Sequence, residues 1–260
     1  MARWRPSPTL QASALVHAGA LAGVLLEPGG WPAAAGALAA NHVLLSAAGL
    51  LPRSTLLGPN LTRLPAAAAA RGEVVISIDD GPDPEVTPRV LDQLDDAGAR
   101  ASFFCIGQHA AAHPGLVRDI VARGHRIENH SEHHWKRFST LGPSAMAREV
   151  AAAQASLTAL SGRRPRYFRA PAGLRNPFLD LVLTRLDLQL ASWTRRAYDT
   201  RNGDPASVLA RLTRGLAGGD ILLLHDGNAA RTPAGQAVIL EVLPALLERI
   251  RAAGLSPVCL

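Results

Sequence analysis

The 260-residue sequence contains few aromatic residues, two cysteines and one lysine. Aromatic residues make up 4% of the chain although 48% is hydrophobic, so alanine, leucine and valine must fill the core. Two cysteines, Cys105 and Cys259, are too few for a disulfide framework and have no metal-ligand spacing between them. Because Lys136 is the only lysine, the net charge of +6 comes from scattered arginines. With no basic run interleaved with aromatics, we expect no nucleic-acid partner.

Charge is absent from two N-terminal stretches, 9–26 and 31–51. Each approaches the ~20 apolar residues that cross a bilayer, and Glu27-Pro-Gly-Gly30 forms a turn between them. A transmembrane or membrane-associated hairpin is therefore favoured, at the bacterial inner (cell) membrane. A buried hairpin packed on the rest of the protein and a cleaved signal peptide are the alternatives. Arginines on both outer flanks indicate two cytoplasmic ends, whereas a single spanning segment would place the remainder outside.

Composition divides the chain into three parts. Residues 1–52 form the apolar hairpin, 53–72 read as a linker, and from 73 to 260 short apolar strands alternate with amphipathic helices. Such alternation predicts a parallel sheet with crossover helices, closed or nearly closed into a barrel. Strands are expected near 73–79, 100–106, 125–130, 166–170, 187–194, 220–225 and 255–260. Helices are expected near 86–97, 114–123, 143–160, 177–186, 205–217 and 235–253.

Two adjacent carboxylates, Asp79 and Asp80, end the first of these strands. The β-branched run 74–78 precedes them, and Gly81 and Pro82 turn the chain directly afterwards. Like charges side by side repel each other, so the pair needs a stabilising partner. A cation is the natural candidate.

A histidine cluster, Asn129-His-Ser-Glu-His-His134, is the second feature. His130 and His134 are four residues apart, so on a helical turn both imidazoles would face one way, which suits two ligands of one metal. A solvated His-rich turn is the alternative. Since Ser131 stands where the zinc-protease signature requires Glu, Glu132 is not placed as that signature's general base. His133 faces away from the pair and is not expected to bind.

Two further strand ends carry functional groups. Arg169 lies between aromatics and the loop of Pro171 and Gly173, which indicates a partly buried guanidinium. It needs a carboxylate partner, and Asp79 is the natural one. His225 ends the apolar run 221–224 and repeats the geometry of the first motif.

Taken together, these motifs resemble those of the NodB-like polysaccharide deacetylases, carbohydrate esterase family 4. The matching residues are Ser77-Ile-Asp-Asp-Gly81, His130-Ser-x-x-His134, Arg169-x-Pro171-x-Gly173 and Leu222-x-x-His225, with Gly98–Gly107 similar to the family's second strand. The resemblance covers roughly residues 73–260 and implies a distorted (β/α)7-type barrel. It also implies a divalent metal, commonly zinc, on Asp80, His130 and His134.

The resemblance assigns the catalytic roles as well. Asp79, held by Arg169, would be the general base and His225 the general acid. Arg196 and Thr200 depart from the family pattern, where Asp and Trp are usual, while Asp199 is retained and is assigned to orient His225.

The function implied is metal-dependent hydrolysis of N-acetyl groups on an acetylated polysaccharide, oligosaccharide or lipid-linked sugar. An ester deacetylase for xylan-type glycans is one alternative. A membrane protein that keeps the fold but only binds glycan is the other, and the intact acid, base and metal set argues against it.

Overall fold

The structure is a computed structural model, described here for residues 3–260. Its eight strands all run parallel and form one curved sheet. The strands are β1 (Glu73–Asp79), β2 (Ala101–Cys105), β3 (Arg126–Asn129), β4 (Tyr167–Phe168), β5 (Gln189–Leu190), β6 (Arg195–Arg196), β7 (Ile221–His225) and β8 (Ser256–Val258). The helices are α1 (Pro8–Leu26), α2 (Trp31–Leu50), α3 (Ala66–Ala70), α4 (Thr87–Asp96), α5 (Gly107–Ala112), α6 (Pro114–Ala122), α7 (Pro143–Ser161), α8 (Leu179–Arg185), α9 (Pro205–Thr213) and α10 (Ile239–Ala252).

The strand order is β5-β4-β3-β2-β1-β7-β6, with β8 paired to the beginning of β1. Parallel neighbours require crossover connections, and the amphipathic helices supply them on the outer side. The result is the predicted distorted barrel, with β5 and β6 at the two open edges.

Strand β1 occupies the centre of the sheet and is buried from Val74 onward. Because side chains alternate across a strand, Val74, Ile76 and Ile78 point outward into the main hydrophobic core beneath the helices. Val75 instead packs inside the barrel with residues such as Trp193. The same alternation puts Asp79 on the inner face, at the carboxyl end of the sheet where the loops gather.

Helices α1 and α2 form the predicted apolar hairpin. Both are long and apolar enough to cross a membrane by length and composition, with mean hydropathy of 1.5 and 1.4, and only 6% and 17% of these windows is buried. Between the helices, Asn41 bonds to Ser13 (2.9 Å) and the rings of His17 and His42 meet at 3.3 Å. These contacts pair most of the hairpin's polar side chains with one another.

The base of the hairpin is packed against the barrel. Gly49 lies so close to Arg175 that a β-carbon at residue 49 would sit 2.2 Å from the Arg175 carbonyl oxygen. The Gly49 carbonyl accepts a hydrogen bond from the Arg175 backbone nitrogen (3.1 Å), and Trp4 donates to Asp180 (2.8 Å). Leu57 is buried beside them. The hairpin and the barrel are therefore joined by specific contacts.

Residues 53–72, for which the sequence predicts a linker, lie across the open side of the barrel. Leu61 forms a parallel bridge to Ala191, donating to the Leu190 carbonyl (2.9 Å) and accepting from Ser192 (2.8 Å). Leu64 donates to the Gly219 carbonyl (2.8 Å), just before β7. This segment thus bridges the edge at β5 and the strand on the far side of the gap.

The expected strand 187–194 is the main difference in the sheet, because the structure shortens it to β5 (Gln189–Leu190) and forms the separate strand β6 (Arg195–Arg196) just beyond it. Strand β6 consists of two charged residues and gives no hydrophobic alternation. Helix α5 (Gly107–Ala112) was also not expected, since six small or polar residues carry little helical periodicity.

Candidate metal and catalytic centre

Asp80 and the two histidines of the cluster bring their donor atoms to one point. Ligand atoms of Asp80, His130 and His134 all lie within 4.8 Å of one another. Oδ1 of Asp80 is 3.2 Å from Nε2 of His130 and 3.3 Å from Nε2 of His134. Two loops therefore deliver these groups to the same position, the loop after β1 with one carboxylate and the loop after β3 with two imidazoles.

These residues fit a divalent metal. Oδ1 of Asp80 is buried and has no properly oriented hydrogen-bond donor among residues 3–260, which is costly unless a cation faces it. Nδ1 of His130 contacts the Arg169 carbonyl oxygen at 2.9 Å. Since a carbonyl only accepts, Nδ1 must donate, and Nε2 keeps its lone pair toward the site. One Asp and two His suit zinc among other divalent metals and leave coordination positions for water and substrate.

The electrostatics of the cluster agree with a ligand set. Burial alone would raise the pKa of Asp80, but His130, His225 and His134 outweigh it and lower this pKa. Burial and the charge of His130 lower the pKa of His134 to about 4. The pKa of His130 is raised despite burial, because the carboxylates of Asp79 and Asp80 both face it. An ionised carboxylate and a neutral imidazole are the forms that bind metals, as found for Asp80 and His134. The negative charge of the two carboxylates that face His130 would be neutralised by a bound cation.

The local path of the histidine cluster differs from the expected helical turn. His130 and His134 lie in an irregular loop, in which Ser131 has φ of 66° and His134 has φ of 50°. Ser131 Oγ accepts a bond from the His134 backbone nitrogen (3.0 Å), which closes this loop. The two imidazoles therefore converge through a tight turn. His133 faces away, as expected, and its Nδ1 pairs with Glu149 at 2.7 Å.

Asp79 and Arg169 form a buried ion pair beside the metal ligands. The two side chains are 3% and 1% exposed, and a guanidinium nitrogen lies 2.5 Å from Oδ1 of Asp79. The other donors of Arg169 bond to Ser77 Oγ (3.0 Å), the Ser192 carbonyl (2.9 Å) and the Ala191 carbonyl (3.2 Å). Every nitrogen of the guanidinium thus has a partner. Oδ2 of Asp79 faces the histidine cluster, 3.8 Å from Nε2 of His130.

His225 and Asp199 form a second buried pair, at the end of β7, where His225 is the register partner of Asp79 in β1. Both oxygens of Asp199 are used, one by Nδ1 of His225 (2.9 Å) and the other by the His225 backbone nitrogen (2.8 Å). Burial alone would lower the pKa of His225, but Asp199, together with Asp79 and Asp80, raises it to about 9. This imidazole is therefore protonated at neutral pH, and Nε2 is the nitrogen left free.

Several polar groups around the centre were not singled out by the motifs. Ser77 supports Arg169 from the middle of β1, and a lone serine in an apolar strand was the available signal. Asp226 is buried and accepts from Thr87 (2.6 Å), and burial raises its pKa to about 7. Asn228 donates to Oδ2 of Asp80 (3.3 Å). The role of Asn228 depends on chain packing that no local pattern encodes.

Comparison with known proteins agrees with this geometry. The sequence model of the family described as polysaccharide deacetylase matches residues 67–191. A peptidoglycan-N-acetylglucosamine deacetylase of Bacillus cereus is 31% identical over 183 residues, which cover 66% of this chain and 81% of that protein. The chain belongs to the polysaccharide deacetylase family. A chitooligosaccharide deacetylase of Sinorhizobium fredii is also 31% identical, over 73% of this chain and 92% of that protein.

A solved structure supports the same family and the barrel. The family 4 carbohydrate esterase of Streptomyces lividans, in complex with acetate, is 30% identical with a TM-score of 0.65, covering 72% of this deacetylase and 91% of that chain. The expected NodB-like family and fold are thus confirmed. The N-terminal hairpin lies outside the family match at 67–191.

The departure at Arg196 has a clear structural setting in this deacetylase. Its guanidinium lies 5.2 Å from the Trp193 ring and 5.0 Å from the Tyr198 ring. Thr200 follows Asp199 in the turn after β6. Arg196 therefore lines a pocket beside the catalytic centre and has no contact with His225 comparable to that of Asp199.

Proposed function

We propose that this deacetylase is a metal-dependent hydrolase that removes N-acetyl groups from an acetylated polysaccharide, oligosaccharide or lipid-linked sugar. One observation carries the proposal. The cluster of Asp80, His130 and His134 occurs at one end of the barrel together with a buried Asp79–Arg169 pair and a buried His225–Asp199 pair, and Asp79 and His225 end neighbouring strands. A metal site flanked by a carboxylate and a protonated imidazole suits hydrolysis of an amide.

Asp80, His130 and His134 would hold the metal, for which zinc is the first choice. When bound, a divalent metal polarises the acetyl carbonyl and lowers the pKa of water from ~15.7 toward ~7. The ligand residues themselves are largely shielded from water, since Asp80 and His130 are 5% and 2% exposed.

Asp79 is proposed as the general base. Arg169 binds Oδ1 and so fixes the carboxylate and favours its ionised form, whereas Oδ2 faces the cluster and can accept a proton from the attacking water. A positioned base of this kind contributes about 10²–10⁴ to the rate.

His225 is proposed as the general acid. Its Nδ1 is bound to Asp199, so Nε2 delivers the proton to the nitrogen of the departing amine. The raised pKa, about 9, keeps the proton available at neutral pH. Asp199 is thus a positioning residue, which orients the ring and stabilises its charged form.

The membrane assignment is also a proposal. Two apolar helices with mostly exposed surfaces support a hairpin of residues 1–52 in the bacterial inner membrane, a connecting segment 53–72 and a catalytic domain 73–260. The contacts at Gly49 and Arg175 would hold the catalytic domain close to the bilayer. We propose an acetylated glycan or glycolipid as the substrate.

The test is acetate release by the full-length protein, purified in detergent with zinc or cobalt restored. Acetylated chitooligosaccharides, peptidoglycan fragments and lipid-linked aminosugars are offered in parallel with acetylated xylan. We expect release from an amide substrate, and none from the Asp80→Asn variant. Release from xylan alone would favour the ester deacetylase, and release from no substrate while glycans still bind would favour the binding protein.

A further inference from the structure

A basic pocket of about 840 Å³ lies where the hairpin meets the barrel. It is lined by residues 51–56, which follow α2, and by the strand β6 with its flanking residues. Five arginines line it, Arg53, Arg195, Arg196, Arg211 and Arg214, and no Asp or Glu does. The volume is within the range of about 300–1,000 Å³ typical of small-ligand sites.

Four of these arginines lack a carboxylate partner. Arg195 pairs with Asp220, 2.5 Å away, a carboxylate that it shares with Arg63 at 2.9 Å. Within residues 3–260, no acidic group lies within ion-pairing distance of the other four. Like charges around one cavity repel each other, so an anion in the cavity would be strongly stabilised.

Arg196 gives an independent indication of a ligand. Its Nε is buried and has no hydrogen-bond partner among the described residues, which is costly for a charged donor. Its guanidinium is flanked by the rings of Trp193 and Tyr198, and Tyr198 is held at φ of 59°, a conformation that non-glycine residues rarely adopt. The guanidinium of Arg211 also lies over the Tyr198 ring, at 5.5 Å. Aromatic rings orient guanidinium groups but do not neutralise them.

The pocket has an apolar rim on the hairpin side. Leu51 and Leu56 line it and are 60% and 44% exposed, and Leu50 at the end of α2 is 63% exposed. Cations bordered by exposed leucines, at the end of an apolar hairpin, match a ligand that has a phosphate group attached to a lipid. Guanidinium groups bind phosphate oxygens in the paired geometry that this group offers.

The pocket also adjoins the catalytic centre. The indole of Trp193 is contacted by the guanidinium of Arg196 (5.2 Å) and also by that of Arg169 (5.9 Å), the partner of Asp79. A phosphate in the pocket would therefore sit one aromatic ring away from the base that acts on the acetyl group.

We propose that this arginine pocket binds the phosphate ester of a lipid-linked acetylated sugar, and that such glycolipids are the substrate class. The inference rests on the proposed deacetylase function and membrane position. In this arrangement the lipid follows the hairpin, the phosphate lies among the arginines and the sugar extends toward Asp79 and His225.

Binding tests the pocket without requiring turnover. The full-length protein in detergent is titrated with farnesyl phosphate, farnesol and inorganic phosphate, following tryptophan fluorescence or heat. We expect farnesyl phosphate to bind most tightly, and Arg196→Gln and Arg211→Gln each to weaken it about tenfold or more. Arg211 is exposed on α9, so its variant should fold even if Arg196→Gln does not.

Arg249→Gln is the matched control, because it removes the same charge from an exposed position of α10 that does not line the pocket. Equal binding by wild type and both pocket variants, or no binding at all, would overturn the anion site. Inorganic phosphate binding as tightly as farnesyl phosphate would overturn the lipid-linked substrate class.

Kinetics then connects the pocket to the reaction. Wild-type protein should prefer N-acetylglucosamine joined to farnesol through a phosphate over the same sugar joined directly, measured by kcat/KM. Arg211→Gln should reduce this ratio, mainly through KM. An equal loss on both substrates would point to a structural role and refute the proposal. Tight binding with no acetate release from either substrate would instead count against the proposed deacetylase function.

Discussion

The Asp79→Asn substitution should nearly abolish turnover while the protein keeps its metal. The substitution preserves shape but removes the proton-accepting carboxylate beside Arg169. A missing general base lowers the rate by about 10²–10⁴, equivalent to about 3–5 kcal/mol of lost transition-state stabilisation. Because Asp79 is not a proposed metal ligand, the metal content should stay near that of the wild type.

The same substitution should also reduce stability. Removing one charge of a buried ion pair costs about 3–5 kcal/mol, because the other charge stays buried. Arg169 keeps three neutral acceptors, on Ser77, Ser192 and Ala191, so we expect a loss near the lower end of this range. Thermal unfolding of the two proteins under the same conditions measures it.

Asp80→Asn is the comparison that separates the two aspartates. The substituted residue is adjacent in sequence, and the chemical change is the same replacement of one oxygen by nitrogen. Because Asp80 is a proposed metal ligand, this variant should lose metal and activity together. Metal per protein is measured on each purified variant, alongside acetate release. Metal loss in Asp79→Asn with retention in Asp80→Asn would mean that the two roles are reversed. Undiminished turnover by Asp79→Asn would refute the assignment of the base.

Three further predictions concern the acid, the core and the hairpin. Asp199→Asn removes the charge that raises the pKa of His225 to about 9, so the decline of kcat/KM at alkaline pH should begin at lower pH than in the wild type. Burial lowers the pKa of His125 to about 4. Between about pH 6.5 and 4, His125 is therefore protonated in the unfolded chain but neutral in the folded protein. Stability should therefore fall by about 3 kcal/mol as the pH decreases through this window, and His125→Leu should remove that loss. Gly49→Leu should separate the hairpin from Arg175 and destabilise the protein by about 1–3 kcal/mol, measured by thermal unfolding.

Each of these has a result that contradicts it. An alkaline limb that does not move in Asp199→Asn would show that another group controls it. Above about pH 6.5, the free energy of unfolding of His125→Leu should equal that of the wild type. A difference in this free energy that persists at pH 8 would indicate altered packing instead. For the hairpin, Gly36→Leu is the control, since a β-carbon there meets open space within the protein. Equal effects of the two glycine substitutions would argue against the contact at Arg175.

The sequence predicted the elements whose signals are local. Strand β1 has a continuous β-branched run and ends at a Gly-Pro turn, and the hairpin helices are bounded by prolines and a Pro-Gly-Gly turn. Asp79 and Arg169 were expected to pair, since an arginine between aromatics needs a nearby carboxylate, and the structure brings them together.

Features that depend on distant segments were not predictable in this way. The irregular loop at His130–His134 is held by Ser131 and by the contact of His130 with the Arg169 carbonyl after β4. The sequence predicted the correct pair of ligands, but it did so from a helical turn that the structure does not contain. The arginine pocket requires β6 to lie beside residues 51–56, which are about 140 positions away in sequence. Asp226 and Thr87 meet only because β7 pairs with β1.

The bridging segment 53–72 has a practical consequence for studying this protein in pieces. A chain shortened to begin at Glu73 keeps every proposed catalytic residue but loses the backbone partners of Leu190, Ser192 and Gly219. The Ser192 hydroxyl would also lose the Pro52 carbonyl (2.7 Å), while its own carbonyl supports Arg169. The seam between β5 and β6 would then open to water next to the base. The shortest fragment that preserves the reaction geometry therefore begins at or before Pro52, well upstream of the first strand.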